Sequence, residues 1–200
     1  MDFGLSEEQE LHYRCKAGLP VPLVDMRIVD PELKDVPNDG HSTGEVVLRA
    51  PWLTQGYLDN PEASRDLWRG GYLHTQDIGY TEKGYLKVTD RIKDVIKTGG
   101  EWVSSLEIED LLSTAAGVAE CAVIGIPDEK WGERPLALVV QRPGVTLDPD
   151  ALTAHVRGFA EKGIISPYAV PDRVLLVEAI AKTSVGKIDK KLLRTQYADN

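Results

Sequence analysis

The stretch Thr89-Asp90-Arg91-Ile92-Lys93-Asp94-Val95-Ile96-Lys97-Thr98-Gly99-Gly100-Glu101-Trp102-Val103-Ser104-Ser105-Leu106-Glu107-Ile108-Glu109 decides how the chain is organised. Before it the pattern is that of strands and turns. Within it, charged residues crowd a short junction and adjacent glycines follow. Ser104-Ser105-Leu106-Glu107 then has the spacing of a capping box, in which a hydroxyl and a carboxylate three residues on satisfy the free N–H groups of a helix start. Ile108, Leu111 and Leu112 share one face of the helix so opened. Strand-forming and helix-forming segments alternate from there on, the mark of a small α/β or α+β domain.

Upstream, Val24 to Val29 and Gly44 to Arg49 are rich in β-formers and bounded by proline, glycine or aspartate. Asp77 to Val88 carries Glu82-Lys83-Gly84 between two aromatic-bearing runs, which predicts a hairpin. Asn60-Pro61 predicts a short helix, with Asn60 as cap and Pro61 at the first helical position. Downstream, Gly117 closes the first helix, and the runs Val118–Ile126, Leu136–Gln141 and Arg173–Val177 predict strands. Asp148-Pro149 opens a helix with Leu152, Val156 and Phe159 on one face, and a lysine-rich helix begins near Asp189. The expected fold class is α+β. A β-rich, distorted barrel-like subdomain over residues 1–90 precedes a small α/β lid domain over 91–200, with a mixed or antiparallel sheet, flanking helices and a hinge near Lys93.

Composition narrows the function classes. The chain has 200 residues, 42% hydrophobic and 28% charged. That is enough to bury a core. A net charge of -9 argues against binding along a nucleic-acid backbone, which needs excess Lys and Arg. The only two cysteines, Cys15 and Cys121, lie far apart and have no zinc-ligand spacing. Two free thiols imply a reducing, cytoplasmic setting. No apolar run reaches the roughly 20 residues that span a bilayer. Met1-Asp2-Phe3-Gly4 has none of the charge and apolar pattern of a signal peptide.

Five segments carry chemistry-bearing residues. Phe3-Gly4-Leu5-Ser6-Glu7 joins a glycine, a hydroxyl and a carboxylate, suited to a phosphate and Mg²⁺ but equally to a surface turn. Asp77, at a strand start, can accept both hydroxyls of a ribose or can simply cap a turn. Arg91, in the charged junction, can bond ribose or phosphate oxygens, although such a junction also suits an exposed linker. Gly99 and Gly100 allow close approach of backbone to a thin ligand, or make a tight turn. Lys182-Thr183-Ser184-Val185-Gly186-Lys187-Ile188 places a lysine on a glycine-containing loop, where it can reach a phosphate or carboxylate. It is not a Walker loop, because the upstream glycine and the following hydroxyl are missing.

Taken in order, these segments resemble the later core motifs of the adenylate-forming superfamily, which includes acyl- and aryl-coenzyme A synthetases, luciferases and peptide-synthetase adenylation domains. The string from Thr89 to Glu109, and Asp128-Glu129-Lys130-Trp131-Gly132-Glu133-Arg134-Pro135, look like the fatty acyl-coenzyme A synthetase branch. The resemblance implies ATP, Mg²⁺ and coenzyme A as cofactors or co-substrates and a medium- or long-chain fatty acid as substrate. It implies that Ser6 contacts phosphate, Glu7 binds or orients Mg²⁺, Asp77 holds the ribose and Arg91 the nucleotide. Lys93 matches the hinge, Lys97 a lysine of the second half-reaction, Gly99 and Gly100 the pantetheine tunnel, and Lys187 the lysine of adenylation. The family's phosphate loop and most of its acyl pocket are not in these residues. The expectation is therefore a fragment beginning near Phe3, inactive alone and lacking a large N-terminal domain. An aryl or short-chain acid ligase is the alternative within the superfamily, and a stand-alone nucleotide- or coenzyme A-binding module the alternative outside it. Three positions depart from the family pattern. Gln76 and Asp90 stand where glycine is usual, and Ala181 where proline is usual.

Overall fold

The computed structural model describes residues 4–197, and they form two compact units that divide between Lys93 and Asp94. The first unit opens with helix α1 (Glu7–Arg14), which starts at the last residue of the Phe3–Glu7 motif and is not among the helices the sequence predicts. Ser6 caps it: its hydroxyl accepts the Gln9 N–H at 3.3 Å while the Gln9 side chain accepts the Ser6 N–H at 3.0 Å. The spacing Ser6-x-x-Gln9 is itself a capping box, so the helix start is visible in the sequence. Four strands follow: β1 (Asp25–Val29), β2 (Gly44–Arg49), β3 (Leu73–Glu82) and β4 (Tyr85–Arg91). They form an antiparallel sheet in sequence order.

The β3–β4 hairpin is longer at both ends than its sequence signal. Its turn is the two residues Lys83 and Gly84, both left-handed, at φ 49° and 84°. A two-residue turn with positive φ at both positions matches the twist of the strands it joins. Between β2 and β3 lies helix α2 (Pro61–Leu67), where Asn60 Oδ1 accepts the Ala63 N–H at 3.1 Å. Ile28, Val29, Val46, Val47, Leu67 and Ile78 make the buried interior of this unit.

The second unit is a mixed sheet with helices on both faces. Two short strands, β5 (Ile96–Thr98) and β6 (Glu101–Val103), form a hairpin around Gly99-Gly100, the glycines that predict a ligand approach or a tight turn but not the strands flanking them. Helix α3 (Ser105–Ser113) follows, with Ser104 Oγ accepting the Glu107 N–H at 3.1 Å. Strands β7 (Val118–Asp128) and β8 (Gly132–Gln141) are antiparallel along their whole length. Helix α4 (Pro149–Glu161) then crosses back, so that β9 (Arg173–Leu176) lies parallel to β8. Helix α5 (Lys190–Tyr197) ends the described chain. The path through the sheet is β6-β5-β8-β7, with β9 beside β8.

Alternation along β7 explains why its sequence is almost continuously apolar. Cys121 and Val123 face the core under α3 and α4, with Ile108, Leu112, Leu152 and Val156. Ala122 and Ile124 face the opposite core, with Leu136, Leu138 and the Leu193 of α5. A strand covered on both faces has no side left for polar residues. Each fully buried Ile, Leu or Val contributes about 1.5–3 kcal/mol relative to exposure. No described helix is long and apolar enough to cross a membrane.

Candidate nucleotide and thiol site residues

Asp77 and Arg91 are brought together by the β3–β4 ladder, in which they are direct partners. Arg91 Nε lies 3.3 Å from Asp77 Oδ1, and both side chains reach solvent. The preceding Asp90 is buried, at 2% exposure, and its Oδ1 accepts the Arg91 N–H at 2.7 Å. A residue that would be glycine in the family pattern is here a buried carboxylate that fixes the backbone of Arg91.

Gln76 has φ 61°. That is the left-handed region, which glycine enters at no steric cost. Two backbone bonds hold it there. Its N–H donates to Glu45 Oε1 at 3.2 Å, and its carbonyl accepts the Ile92 N–H at 2.9 Å. Glu45 is in turn paired with the buried His74, Oε2 to Nδ1 at 2.7 Å, while His74 Nε2 faces the Arg69 carbonyl at 2.9 Å. Thr75 Oγ accepts the Asp77 N–H at 3.1 Å and donates to the Val46 carbonyl at 2.7 Å. Glu45, His74 and Thr75 thus shape the backbone that presents Asp77. Sequence reading passes over Glu45 and His74. The available signal is a charged residue inside an apolar run, Gly44-Glu45-Val46-Val47, which needs a buried partner.

Ser6 and Glu7 are exposed at the N-terminal end of α1. The Ser6 hydroxyl is used in capping, and the Glu7 carboxylate makes no hydrogen bond or ion pair among the described residues. Phe3, which opens the same motif, lies outside the described residues. Lys93 is exposed in the turn after β4, at the last position of the first unit.

In the second unit, Gly99 and Gly100 are both left-handed, at φ 60° and 84°, but they differ in surroundings. A Cβ on Gly99 would sit 2.7 Å from the Tyr168 ring, whereas one on Gly100 would meet nothing within 4 Å. Gly99 is therefore needed for packing, and Gly100 leaves an open approach to the backbone. Lys97 pairs with Trp102 across the hairpin, its ammonium 5.9 Å from the ring centre, and its N–H donates to Glu133 Oε2 at 2.8 Å. Arg134 braces this region. Its guanidinium donates to Asp172 at 2.6 and 2.7 Å, to Thr98 Oγ at 3.2 Å and to the carbonyls of Tyr168 and Val170. The Asp172 carboxylate raises the Arg134 pKa above its ordinary value.

Lys187 is exposed on a tight turn. Lys182 and Ile188 are bridge partners across it, and the Lys187 carbonyl accepts the Thr183 N–H at 2.7 Å. Lys182 Nζ is 2.8 Å from Glu120 Oε1 on β7, at the opposite edge of the sheet path from the β5–β6 hairpin that carries Gly100. Among the described residues no cluster of three or more His, Cys, Asp or Glu could hold a metal by itself.

Comparison with known proteins gives the family of the chain. Residues 107–187 match the AMP-binding enzyme C-terminal domain. The chain is 46% identical over 198 residues to a long-chain-fatty-acid–CoA ligase of Thermus thermophilus, matching 97% of this chain and 35% of that one. It is 36% identical to 3-methylmercaptopropionyl-CoA ligase of Ruegeria pomeroyi, over 98% of this chain and 35% of that one. The crystal structure of ATP-bound MatB from Rhodopseudomonas palustris superposes with a TM-score of 0.80 at 31% identity, over 92% of this chain and 36% of that one. The chain thus spans about a third of the length of the relatives it matches. It belongs to the AMP-binding, adenylate-forming enzymes, with residues 107–187 forming their C-terminal domain.

Proposed function

We propose that this chain is the C-terminal part of an ATP-dependent acid–coenzyme A ligase, and that the acid is a medium- or long-chain fatty acid. The observation that carries the reading is the Asp77–Arg91 pair, a carboxylate and a guanidinium held side by side at the surface on a braced backbone. In this reading Asp77 accepts the ribose hydroxyls of the nucleotide and Arg91 donates to its oxygens. Ser6 donates to a phosphate. Glu7 has the free carboxylate that Mg²⁺ uses alongside substrate phosphates, and the ion would supply charge neutralisation there. Gly99 and Gly100 line the path of the pantetheine arm, with Gly100 as the open face.

Two reactions share one acyl group. Attack of the carboxylate on the α-phosphate of ATP forms the acyl-adenylate and expels pyrophosphate; charge builds on the non-bridging oxygens, and Lys187 stabilises it in this first step. The coenzyme A thiol then displaces AMP from the acyl-adenylate, the step served by Lys97 and the Gly100 face. Lys187 and Gly100 lie on separate parts of the second unit, so that unit swings about Lys93 to present them in turn. The fatty acyl preference is supported by the 46% identity to the Thermus ligase. The setting is cytoplasmic, in keeping with two free cysteines.

The test is the full-length ligase carrying Lys187→Ala. Acyl-adenylate formation, followed by pyrophosphate exchange, should fall on the order of 100-fold or more, the usual cost of removing one charge-stabilising donor. An unimpaired rate would overturn the role of Lys187. A panel of acids tests the substrate, and preference for a short or aromatic acid would overturn the fatty acyl part. The 200-residue chain alone should release no pyrophosphate with fatty acid, ATP and Mg²⁺.

A further inference from the structure

Three residues after the exposed Lys187, at the first position of α5, stands Lys190, whose side chain is only 9% exposed. Two features make it unexpected there. A buried ammonium costs free energy unless it is paired and hydrogen-bonded. A cation at a helix N-terminus also opposes the helix dipole, which favours anions at that end. Neither the helix nor the core accounts for it.

The compensation comes from α3. Lys190 Nζ donates to Ser105 Oγ at 2.6 Å and lies 2.7 Å from Glu109 Oε1. Ser105 is fully buried, and Glu109 is 12% exposed. Glu109 Oε1 also accepts the Val123 N–H of β7 at 2.7 Å. One buried cation thus ties the start of α5 to the first turns of α3 and, through the shared carboxylate, to strand β7.

The turn that carries Lys187 hangs from this point. The Asp189 N–H donates to the Ala181 carbonyl at 2.9 Å, and Lys182 is bound to Glu120 at 2.8 Å. Within the turn the Lys187 N–H reaches Thr183 Oγ at 3.3 Å and the Gly186 N–H the Thr183 carbonyl at 2.9 Å. Past it, Leu193 is buried under β7 and β8. The apolar contact fixes the helix axis loosely, because it has no direction. Two ion pairs give the direction: Arg194 with Asp94, at 3.0 Å, toward the end of α5, and Lys190 with Glu109 at its start, beside the turn, so the Lys190 pair sets where the turn points.

We infer that Lys190, with Glu109 and Ser105, is a positioning residue for Lys187. It holds the Lys182–Ile188 turn in one geometry, so that the exposed ammonium is delivered in register to the adenylation step. The inference rests on the proposed adenylation role of Lys187. It requires a selective effect: the first half-reaction depends on this bracket, and the second, served by the β5–β6 hairpin, does not.

The test uses the full-length ligase with the half-reactions measured separately, adenylation by pyrophosphate exchange and thioester formation from supplied acyl-adenylate and coenzyme A. Lys190→Met and the double variant Lys190→Met/Glu109→Gln should each slow adenylation about 10- to 100-fold, the scale of a misplacement near one ångström, with thioester formation within about 2-fold. Lys190→Arg, which keeps the charge, should restore part of the loss. Equal loss in both half-reactions, or none in adenylation, would overturn the inference. The double variant leaves no buried charge unpaired, so it decides the matter if Lys190→Met fails to fold. If neither variant folds, the bracket is a requirement of the fold and the inference is wrong. Lys187→Ala is run beside them. If Lys187→Ala slows adenylation while the Lys190 variants do not, only the positioning role falls. If Lys187→Ala has no effect, the role of Lys187 falls and the positioning role falls with it.

Discussion

Arg91 Nε sits 3.3 Å from Asp77 Oδ1, and the two residues are register partners on adjacent antiparallel strands. Their side chains are 63% and 34% exposed, so water and salt screen the attraction. An exposed pair of this kind contributes about 0–1 kcal/mol to stability. Folding gains little from it. Arg91→Ala should therefore shift the thermal midpoint of the chain by no more than a few degrees. In the full-length protein it should weaken nucleotide binding about 10- to 100-fold, the loss of one charged hydrogen-bond donor. Calorimetric melting and nucleotide titration together check both halves.

Gly99 and Gly100 are neighbours with opposite tolerances. Alanine at Gly99 meets the Tyr168 ring at 2.7 Å and must hold φ at 60°. Adding an overpacking cost to the left-handed penalty gives about 2–5 kcal/mol of lost stability. Alanine at Gly100 pays only the conformational part, about 1–2 kcal/mol. Urea unfolding of the two variants should rank them in that order. The reverse ranking would mean that Tyr168 yields easily.

Gln76 supplies a test in the stabilising direction. Its φ is 61°. A left-handed backbone costs a non-glycine residue about 1–2 kcal/mol. The added chain entropy of glycine costs less, about 0.5–1 kcal/mol. Gln76→Gly should raise the melting temperature slightly, and Gln76→Val should lower it by more. A fall with Gly would show that the Gln76 side chain makes compensating contacts along the cavity of about 370 Å³ that it lines with His74 and Asn60.

Acid should weaken the first unit through Glu82. Lys16, first, and His12, second, hold its carboxyl down to about 2 from an ordinary 4.5. A carboxyl whose pKa is lower in the folded state adds stability above its unfolded pKa and loses it as pH falls toward the folded one. The loss should run from about pH 4.5 down to about 2. Glu82→Gln should be less stable at pH 7 and flatter across that window. Unfolding at a series of pH values would show it.

The two thiols should separate by reactivity. Cys121 is buried, and desolvation, helped by Glu109, Asp110 and Glu120, pushes its thiol up to about 12. Cys15 is exposed. A thiol reagent at neutral pH should modify Cys15 in the folded chain and reach Cys121 only after denaturant. Equal rates would contradict the burial of Cys121.

What the sequence discloses follows the strength of its local signals. Asn60-Pro61, Asp148-Pro149 and Ser104 each announce a helix start through a side chain that bonds nearby backbone, and each is a cap in the structure. The β3–β4 hairpin is legible because Lys83-Gly84 dictates its turn. Strands β5 and β6 are not, because three residues are too few to show alternation. Helix α1 is not predicted although Ser6-x-x-Gln9 signals it, because Ser6 and Glu7 also close a motif that fits a ligand or a turn. Family resemblance singles out Asp77 and Arg91, and the strand register joins them. Glu45, His74 and Lys190 cannot be found that way. Each owes its place to a partner far away in sequence, which no local pattern encodes.

The parallel pairing of β9 with β8 sets an order on assembly. The β7–β8 hairpin closes over the three residues between Asp128 and Gly132, and such closures take microseconds. Strand β9 must wait until α4 has formed and folded back, since parallel partners are joined only by a long crossover. The Lys182–Ile188 turn and α5 meet β7 and α3 only across long stretches of chain, whose closure is slower than that of a hairpin. They then arrive at a surface where Glu109 and Glu120 already stand, as residues of α3 and β7. Refolding followed residue by residue should therefore show amide protection in β7 and β8 before it appears in the segment bearing Lys187.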